Sequence, residues 1–503
     1  MRDERLIGAA LAALVLAACR APTEPVGRIA SRRPNVLFLM ADQLRGDFLG
    51  CAGNPAASTP NLDRLAARGA LFRRAYSSTP SCTPARAAIL TGRSPWGHGM
   101  LGYHRVRERY TVELPRLFAE AGWRTHAVGK NHFHPQRNTH GYDTIELDES
   151  GRRESEEFVS DYRAWFARVA PGEDPDATGI GWNDYRAATY VLPEELHPTT
   201  WTAERAVAFL EEHPDDAPFF LKVSFARPHS PYDPPERFLE RIDPAAVPVP
   251  RAGAWSEEAF GAFHAPEKYT AARNALRLET TLQSRRYYLA SLAFVDEAIG
   301  RILAALESSG ELENTLILFT SDHGDMLGDH HLWRKTYAYE GSAGIPLIVW
   351  WGDDVLDAPR GQVRDEPVEL RDVLPTFLDA GDLPIPASVE GASLLRLVRG
   401  PAAWRPWLDL EHATCYWPEN VWNALTDGRT KYVYQAYDGH EQLFDLQADP
   451  GETRDLASDP GRAEELGRWR ARLIEHLAPR GAPWVVDGRL GLRKERILTR
   501  PSE

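Results

Sequence analysis

Four largely apolar segments of this chain each end beside a polar residue of a type that performs chemistry. The segments are Asn35–Met40, Trp123–Val128, Phe219–Phe225 and Thr315–Thr320. Each segment is predicted to be a strand, and the continuous apolar run Asn35–Met40 predicts one that is buried on both faces, as in a parallel sheet. The polar residues that follow are Asp42 with Gln43, Lys130, His229 and Asp322. Because ligands bind at the carboxyl ends of such strands, these residues are expected to share one site.

Helical patterns separate these strands along the chain. Helical periodicity is seen at Pro60–Arg68, Leu114–Ala121, Thr202–Glu212 and 279–307, and Ile345–Trp350 is a further buried strand. The alternation predicts an α/β fold with a mixed sheet covered by helices on both faces. After about residue 400 the pattern changes to short strands joined by tight turns, followed by a helix at about 461–476. That change predicts a smaller antiparallel subdomain at the C-terminal end, with strands at Trp407–Glu411, Trp422–Leu425, Lys431–Tyr434 and Gln442–Phe444.

The segment Ser81-Cys82-Thr83-Pro84-Ala85-Arg86 stands at the start of a helical pattern that runs from Pro84 to Thr91. Proline suits the first turn of a helix, where its missing N–H would be unpaired anyway. A nucleophile at a helix N-terminus faces free N–H groups and the positive end of the helix dipole, which favour anions. Arg86 lies four residues on, on the same face as Cys82. Taken alone, the segment also fits a buried structural cysteine.

The pattern Cys82-x-Pro84-x-Arg86, followed by Leu90-Thr91-Gly92-Arg93, resembles the signature of the formylglycine-dependent (type I) sulfatases of the alkaline phosphatase-like superfamily. The resemblance implies that a formylglycine-generating enzyme oxidises Cys82 to an aldehyde, whose hydrate attacks the sulfur of a sulfate ester. It also implies an alkaline phosphatase-like mixed sheet sandwiched by helices. The implied domains are a catalytic domain at 34–400, the antiparallel subdomain at 401–480 and a tail at 481–503.

Two segments resemble the metal-binding stretches of that family, Ala41-Asp42-Gln43 and Ser321-Asp322-His323-Gly324. The resemblance implies one divalent cation with Asp42, Gln43, Cys82, Asp322 and His323 as its ligands. Oxygen ligands favour Ca²⁺. Many sulfatases have a second acid in place of Gln43 and an asparagine in place of His323, so the histidine nitrogen makes Mn²⁺ the alternative.

Three further segments resemble catalytic stretches of the family: Gly129-Lys130-Asn131-His132, Pro228-His229-Ser230-Pro231-Tyr232 and Leu332-Trp333-Arg334-Lys335. The resemblance implies that Lys130, Lys335 and His229 contact the substrate, because lysine is a compact cation suited to ester oxygens. It further implies that His229, together with Lys335, protonates the leaving alcohol. His132 is the implied base, and Arg86 acts beside Cys82. Histidine suits both proton-transfer roles because it titrates near neutral pH.

The residues between these motifs are candidates for recognising the rest of the substrate. Arg137 and Arg227 are predicted to bind a second anionic group such as a carboxylate. Trp182 is predicted to stack on a sugar or aryl ring, and His197 is a further candidate. Further candidates are His134, Asp184, Trp201 and residues 412–417, and for all of these residues a place in the core or on the surface is the alternative.

The N-terminal segment predicts export. Arg2 and Arg5 precede an apolar run, Leu6–Ala18, that is too short to cross a bilayer as a helix and fits a signal-peptide core. The run ends Leu16-Ala17-Ala18-Cys19, which resembles a bacterial lipobox. We therefore predict a lipoprotein signal peptide at 1–18, lipidation of Cys19 and a tether at 19–33. The mature protein is expected to be membrane-anchored, in the periplasm or on the cell surface; an ordinary cleaved signal peptide is the alternative.

The net charge of −14, from 72 acidic and 58 basic residues, argues against nucleic-acid binding.

The predicted substrate is a sulfate ester of a sugar, an aryl alcohol or a small alkyl alcohol. Asp-His pairs like Asp322-His323 occur in choline-sulfatase-like and phosphonate monoester hydrolase-like members of the superfamily, so a phosphonate or phosphate monoester hydrolase on the same scaffold is an alternative. A catalytically inactive, lipid-anchored glycan-binding protein is another. Cys51 and Cys415 are predicted to be free thiols.

Overall fold

The computed structural model describes residues 32–213, 217–260 and 268–501. The predicted signal peptide, Cys19 and most of the predicted tether lie outside the described residues. No helix in the described ranges is long and apolar enough to cross a membrane.

The strands, numbered in chain order, are β1 Asn35–Asp42, β2 Ala70–Phe72, β3 Ala75–Tyr76, β4 Arg124–Gly129, β5 Thr144–Leu147, β6 Phe219–Pro228, β7 Thr315–Thr320, β8 Leu347–Trp351, β9 Gln362–Arg364, β10 Val368–Glu369, β11 Leu408–His412, β12 Trp422–Thr426, β13 Thr430–Gln435, β14 Glu441–Asp445, β15 Val485–Val486 and β16 Arg489–Leu490.

The α-helices are α1 Pro60–Arg68, α2 Cys82–Thr91, α3 Pro95–His98, α4 Leu114–Glu120, α5 Asp161–Val169, α6 Pro198–Glu211, α7 Glu236–Leu239, α8 Trp255–Phe260, α9 Leu278–Ser308, α10 Glu340–Ala343, α11 Val373–Gly381, α12 Leu395–Val398 and α13 Ala463–Leu477. Single turns of 3₁₀ helix lie at Gly46–Phe48, Glu194–Leu196, Leu312–Asn314, Asp329–His331, Leu370–Asp372, Pro460–Arg462 and Ala478–Arg480.

The large sheet is mixed and has the strand order β5-β4-β6-β1-β7-β8-β2-β9. The five strands from β5 to β7 run parallel to one another. Strand β8 runs antiparallel to both of its neighbours, β7 and β2. The carboxyl ends of β4, β6, β1 and β7 therefore lie side by side at one edge of the sheet, as the sequence predicted.

Both faces of this sheet are covered, and the central strand β1 shows how. All eight of its residues are buried. Alternate side chains point to opposite faces of a strand. Leu37 and Leu39 join a core with helices α1, α6 and α9, whereas Val36 and Phe38 join a second core with helices α2, α4 and α11. The predicted α/β sandwich is confirmed.

The C-terminal sheet is antiparallel and has the order β11-β12-β13-β14. Helix α13 covers it, because Trp469, Leu473 and Leu477 share a core with Leu425 and Tyr432 of the sheet. The smaller antiparallel subdomain that the sequence predicted is thus present. The segment after it returns to the main body, where the Leu101 amide donates to the Leu498 carbonyl and the Arg500 amide to the Gly99 carbonyl.

Two local features differ from the sequence predictions. Helix α2 begins at Cys82 itself rather than at Pro84, with Ser81 in extended backbone as its N-cap. The short strands β2, β5 and β9 were not predicted. Strands β5 and β9 are each partly exposed, so their sequences lack the continuous apolar run that marks the central strands.

Candidate active site

The four parallel strand ends bring the predicted residues together. Asp42 is the last residue of β1, and Lys130, His229 and Asp322 follow β4, β6 and β7 within two positions. All four side chains are buried. Because β4, β6, β1 and β7 are consecutive in the sheet, residues up to 280 positions apart in sequence face one another at a single edge.

A cluster of potential metal ligands lies at the centre of this edge. Asp42, Cys82, Asp322 and His323 each offer one ligand atom, and these atoms all lie within 4.8 Å of one another. Oδ1 of Asp42 is buried and has no hydrogen-bond partner in the described part of the chain. Nδ1 of His323 lies 2.9 Å from the Gly324 carbonyl oxygen, so Nε2 is the nitrogen left to face Cys82. Two carboxylates, one of them with an oxygen that has no hydrogen-bond partner among the described residues, and an imidazole nitrogen are ligand types that fit a divalent cation.

Two buried cations neutralise these carboxylates. The Arg86 guanidinium bridges them, with Nε 3.0 Å from Oδ2 of Asp322 and Nη2 2.9 Å from Oδ2 of Asp42. Nζ of Lys130 lies 2.6 Å from the same Asp42 oxygen. Burial by itself raises the pKa of Asp42, but Lys130, His229 and Arg86 lower that pKa well below its usual range. Asp42 is therefore a carboxylate at neutral pH.

Cys82 lies at the N-terminus of α2 among cationic groups. Its Sγ is 3.2 Å from Nε2 of His323. Burial raises the pKa of the thiol, whereas Lys335 and Lys130 lower it, and the resulting pKa is about 7. The surroundings of this side chain favour negative charge, which is the charge type of a sulfate ester.

Gln43 lies beside this cluster and connects Lys335 to the acidic loop. Nζ of Lys335 donates to its Oε1 at 2.7 Å, and its own Nε2 donates to Oδ2 of Asp325 at 2.5 Å. Its backbone amide donates to Oδ1 of Asp322. The amide oxygen that was predicted to bind metal thus accepts a lysine proton here, and metal ligation by Gln43 stays a prediction.

His229 and Lys335 form a pair covered by an aromatic ring. Nδ1 of His229 lies 2.9 Å from the Ser230 carbonyl oxygen, so this nitrogen holds the proton. Its Nε2 accepts from Nζ of Lys335 at 3.0 Å. Burial, Lys335 and Lys130 hold the pKa of His229 well below its usual range. The Trp182 ring stacks on His229 with centroids 3.9 Å apart, and Nζ of Lys130 lies 4.6 Å from the same ring.

His132 occupies a loop that buried charges hold in place. Its φ is +60°, a left-handed conformation that costs energy in residues with a side chain. Oε1 of Glu149 accepts both the Asn131 and the His132 backbone amides, at 3.0 and 2.8 Å. Nζ of Lys222 donates to Oδ1 of Asn131 at 2.9 Å. These contacts fix the backbone that carries the imidazole, whose buried Nδ1 has no hydrogen-bond partner among the described residues.

Comparison with known proteins identifies the family. The family model described as "Sulfatase" matches residues 34–383 of this chain. The chain belongs to the sulfatase family. A second family model, "N-sulphoglucosamine sulphohydrolase, C-terminal", matches residues 328–478 of this sulfatase. Both matches agree with the fold, and this sulfatase is a sulfuric ester hydrolase.

Individual relatives cover nearly the whole of this sulfatase. An arylsulfatase of Clostridium perfringens is 36% identical over 476 residues, which cover 91% of this chain and 97% of that protein. A choline-sulfatase of Rhizobium meliloti is 31% identical and covers 90% of this chain and 88% of its own length. Among solved structures, the phosphonate monoester hydrolase of Agrobacterium radiobacter superimposes with a TM-score of 0.75 at 26% identity, covering 89% of this chain and 96% of that one.

The predicted substrate-binding residues divide into two groups. Trp182 lies at the site and lines a cavity of about 350 Å³ together with Arg227. The Arg227 guanidinium, however, is held by Asp233 through two hydrogen bonds, at 2.8 and 3.1 Å. Its charge is therefore already balanced.

His197 and Arg137 do not line this cavity and each has another partner, so their roles in substrate binding stay predictions. Nδ1 of His197 accepts from the Thr199 amide and caps helix α6, and its Nε2 lies 3.6 Å from Asp233. Arg137 is an exposed side chain that pairs with Asp161. Trp201 lies in the core. Cys51 and Cys415 are free and partly buried, as predicted.

Sequence reasoning missed Glu149 and Lys222. Glu149 follows the short strand β5, which pairs with β4 and so places the carboxylate under the loop that follows β4. Lys222 lies within β6, where a lysine interrupts an otherwise apolar strand. That interruption was the available signal, because a lysine is rarely buried without a partner.

Proposed function

We propose that this sulfatase cleaves sulfate esters with a formylglycine made from Cys82 and with one divalent cation beside it. The main support is the position of Cys82, which begins a buried helix. Its Sγ lies within 4.8 Å of ligand atoms of Asp42, Asp322 and His323. A modified Cys82 would replace the sulfur in this cluster with oxygen, a ligand type that Ca²⁺ prefers. Ca²⁺ is the first choice and Mn²⁺ the alternative, because His323 offers nitrogen.

Asp42, Asp322, His323 and the modified Cys82 would hold the cation, whose charge would offset developing negative charge on the ester. The formylglycine hydrate supplies the attacking hydroxyl and a second hydroxyl whose deprotonation releases the sulfate. The remaining chemistry belongs to the side chains around it. Lys130 and Lys335 bind sulfate oxygens, and Arg86 keeps the two carboxylates in place beneath them.

Proton transfer is divided between two histidines. Nε2 of His229 is unprotonated and accepts from Lys335, so the proton for the leaving alcohol comes from the Lys335–His229 pair rather than from His229 alone. Burial, Arg152 and Lys130 hold the pKa of His132 well below its usual range. A neutral His132 is suited to remove the proton of the second hydroxyl.

The substrate and location are proposed from the sequence and the relatives. The arylsulfatase and choline-sulfatase relatives make aryl and small alkyl sulfates the first esters to try, and sulfated sugars follow from the family. The lipobox-like segment that ends at Cys19 supports an exported lipoprotein in the periplasm or on the cell surface.

The test is the mass of the tryptic peptide 75–86 from protein made in a host that contains the formylglycine-generating enzyme. Conversion of Cys82 lowers the peptide mass by about 18 Da. The same preparation is assayed with an aryl sulfate and with the matching aryl phosphonate ester. Conversion with faster sulfate release supports the proposal. A faster phosphonate reaction supports the hydrolase alternative suggested by the Agrobacterium structure. An unmodified thiol without turnover supports the inactive glycan-binding protein.

A further inference from the structure

A second cavity, of about 570 Å³, opens beside the catalytic groups. It reaches Thr83, the residue after Cys82, and His132. Tyr103, Arg105, Arg152 and Arg153 also line it, and we call it the cationic cavity. The Tyr103 hydroxyl lies 3.4 Å from Nε2 of His132, so the cavity is continuous with the site of proton transfer.

The positive charge of the cationic cavity is not balanced from within. Its one acidic lining residue, Glu154, lies 2.6 Å from Nδ1 of His134. The nearest carboxylate to Arg152 is Glu149, at 4.0 Å, and Glu149 already accepts two backbone amides. Within the described ranges, the exposed guanidinium groups of Arg105 and Arg153 have no side-chain hydrogen bond or ion pair. Unpaired arginines in a cleft of a protein with net charge −14 favour an anionic ligand.

The cavity around Trp182 differs in charge from the cationic cavity. Asp148, Asp176 and Asp233 line it together with Arg163 and Arg227, and these two arginines pair with Asp176 and Asp233. An anionic group therefore meets less unbalanced positive charge there than in the cationic cavity.

We propose that the cationic cavity is a subsite for a second anionic group on the alcohol part of the sulfate ester, a carboxylate or a second sulfate. Arg105 and Arg153 bind that group, because a guanidinium donates two parallel hydrogen bonds to a planar or tetrahedral oxyanion. Arg152 contributes charge from the inner wall. The proposal deepens and rests on the proposed function, and it replaces Arg137 and Arg227 as the residues for a second anion.

The test measures equilibrium binding to Cys82→Ala protein, so that no turnover is needed. The probes are three disaccharides of the same linkage: a neutral monosulfate, a monosulfated uronate and a disulfate. One variant combines Arg105→Gln with Arg153→Gln. The control is Arg137→Gln, because Arg137 is also exposed but does not line the cavity. Circular dichroism checks that each variant is folded.

The parent protein is expected to bind one or both dianions at least about tenfold more tightly than the neutral monosulfate. The double Arg105/Arg153 variant loses this preference, and Arg137→Gln keeps it. If the double variant binds only the uronate more weakly, the subsite is for a carboxylate. If it binds only the disulfate more weakly, the subsite is for a sulfate. Equal binding of all three probes, or an equal loss of preference in Arg137→Gln, overturns the proposal. Failure of the proposed function is separate, because it appears as absence of sulfate release by Cys82-converted protein.

Discussion

Nζ of Lys335 lies 3.0 Å from Nε2 of His229, and the same ammonium group donates to the amide oxygen of Gln43 at 2.7 Å. Since Nδ1 of His229 holds a proton toward the Ser230 carbonyl, the histidine depends on Lys335 for the proton at Nε2. The pair thus acts as one proton-donating unit.

Lys335→Ala and His229→Ala are each expected to lower kcat for an alkyl sulfate by about 10²- to 10⁴-fold, the usual contribution of an acid catalyst. The double variant is expected to be little worse than either single variant, because members of one unit are not additive. With nitrophenyl sulfate, whose leaving group needs no proton, His229→Ala should lose much less, whereas Lys335→Ala also loses its contact with sulfate oxygens. Equal losses for the two esters in His229→Ala would contradict the assignment.

The pH dependence of kcat/KM should reflect His132. Burial, Arg152 and Lys130 depress its pKa, so the neutral, proton-accepting form persists below the ordinary histidine value of about 6.5. The acidic limb of the profile is therefore expected below that pH. Arg152→Gln removes one depressing charge, so the limb should move upward. A limb that stays in place in Arg152→Gln would show that another group controls it.

Glu149 is expected to act as a positioning residue for His132. Glu149→Ala leaves the buried Asn131 and His132 amides without their acceptor, at a cost of about 1–3 kcal/mol in the free energy of unfolding. Glu149→Gln retains an oxygen acceptor and should recover most of that loss. Urea unfolding measures the free energy of unfolding. The kcat of both variants shows whether the loop still positions His132 for catalysis. If kcat in Glu149→Ala equals that of the parent under native conditions, Glu149 only stabilises the fold.

Removal of divalent cations should destabilise the protein as well as inactivate it. The ligand cluster places Asp42 and Asp322 close together, and a bound cation stabilises the folded state by mass action. Treatment with a chelator is expected to lower Tm, and titration with Ca²⁺ or Mn²⁺ to restore it. The ion that restores Tm at the lower concentration binds the site more tightly. Asp42→Asn should show no such response, whereas Asp47→Asn, on the surface, should respond like the parent.

Trp182 should matter for substrate affinity through its stack on His229, with centroids 3.9 Å apart. Trp182→Ala removes a ring from the cavity wall and is expected to raise KM, with a loss in kcat/KM of about 10-fold, the size of one aromatic contact. Trp182→Phe retains a ring, so its kcat/KM should lie between that of the parent and that of Trp182→Ala. An unchanged KM for both variants would mean that Trp182 only shields the histidine.

Much of the fold and the centre of the site were predictable from local sequence. Strands β1 and β7 are largely apolar because both of their faces are buried, and the polar residues Asp42, Lys130, His229 and Asp322 mark where the central strands end. Short edge elements such as β5 and β9 were not predictable, since a partly exposed strand has no distinctive pattern. Glu149 was missed for that reason.

The sequence by itself determined which side chains stand at strand ends and that a helix follows close to Cys82, because burial and a proline in the first turn leave a local pattern. Only the tertiary structure decided which of their atoms are in contact. Gln43 reaches Asp322, 279 positions away, because β1 and β7 pair in parallel. It also decided that Arg227 is held by Asp233 and Arg137 by Asp161, whereas Arg105 and Arg153 have no ion-pair partner among the described residues. Whether a surface charge is free depends on which loop folds against it, and that contact is long-range.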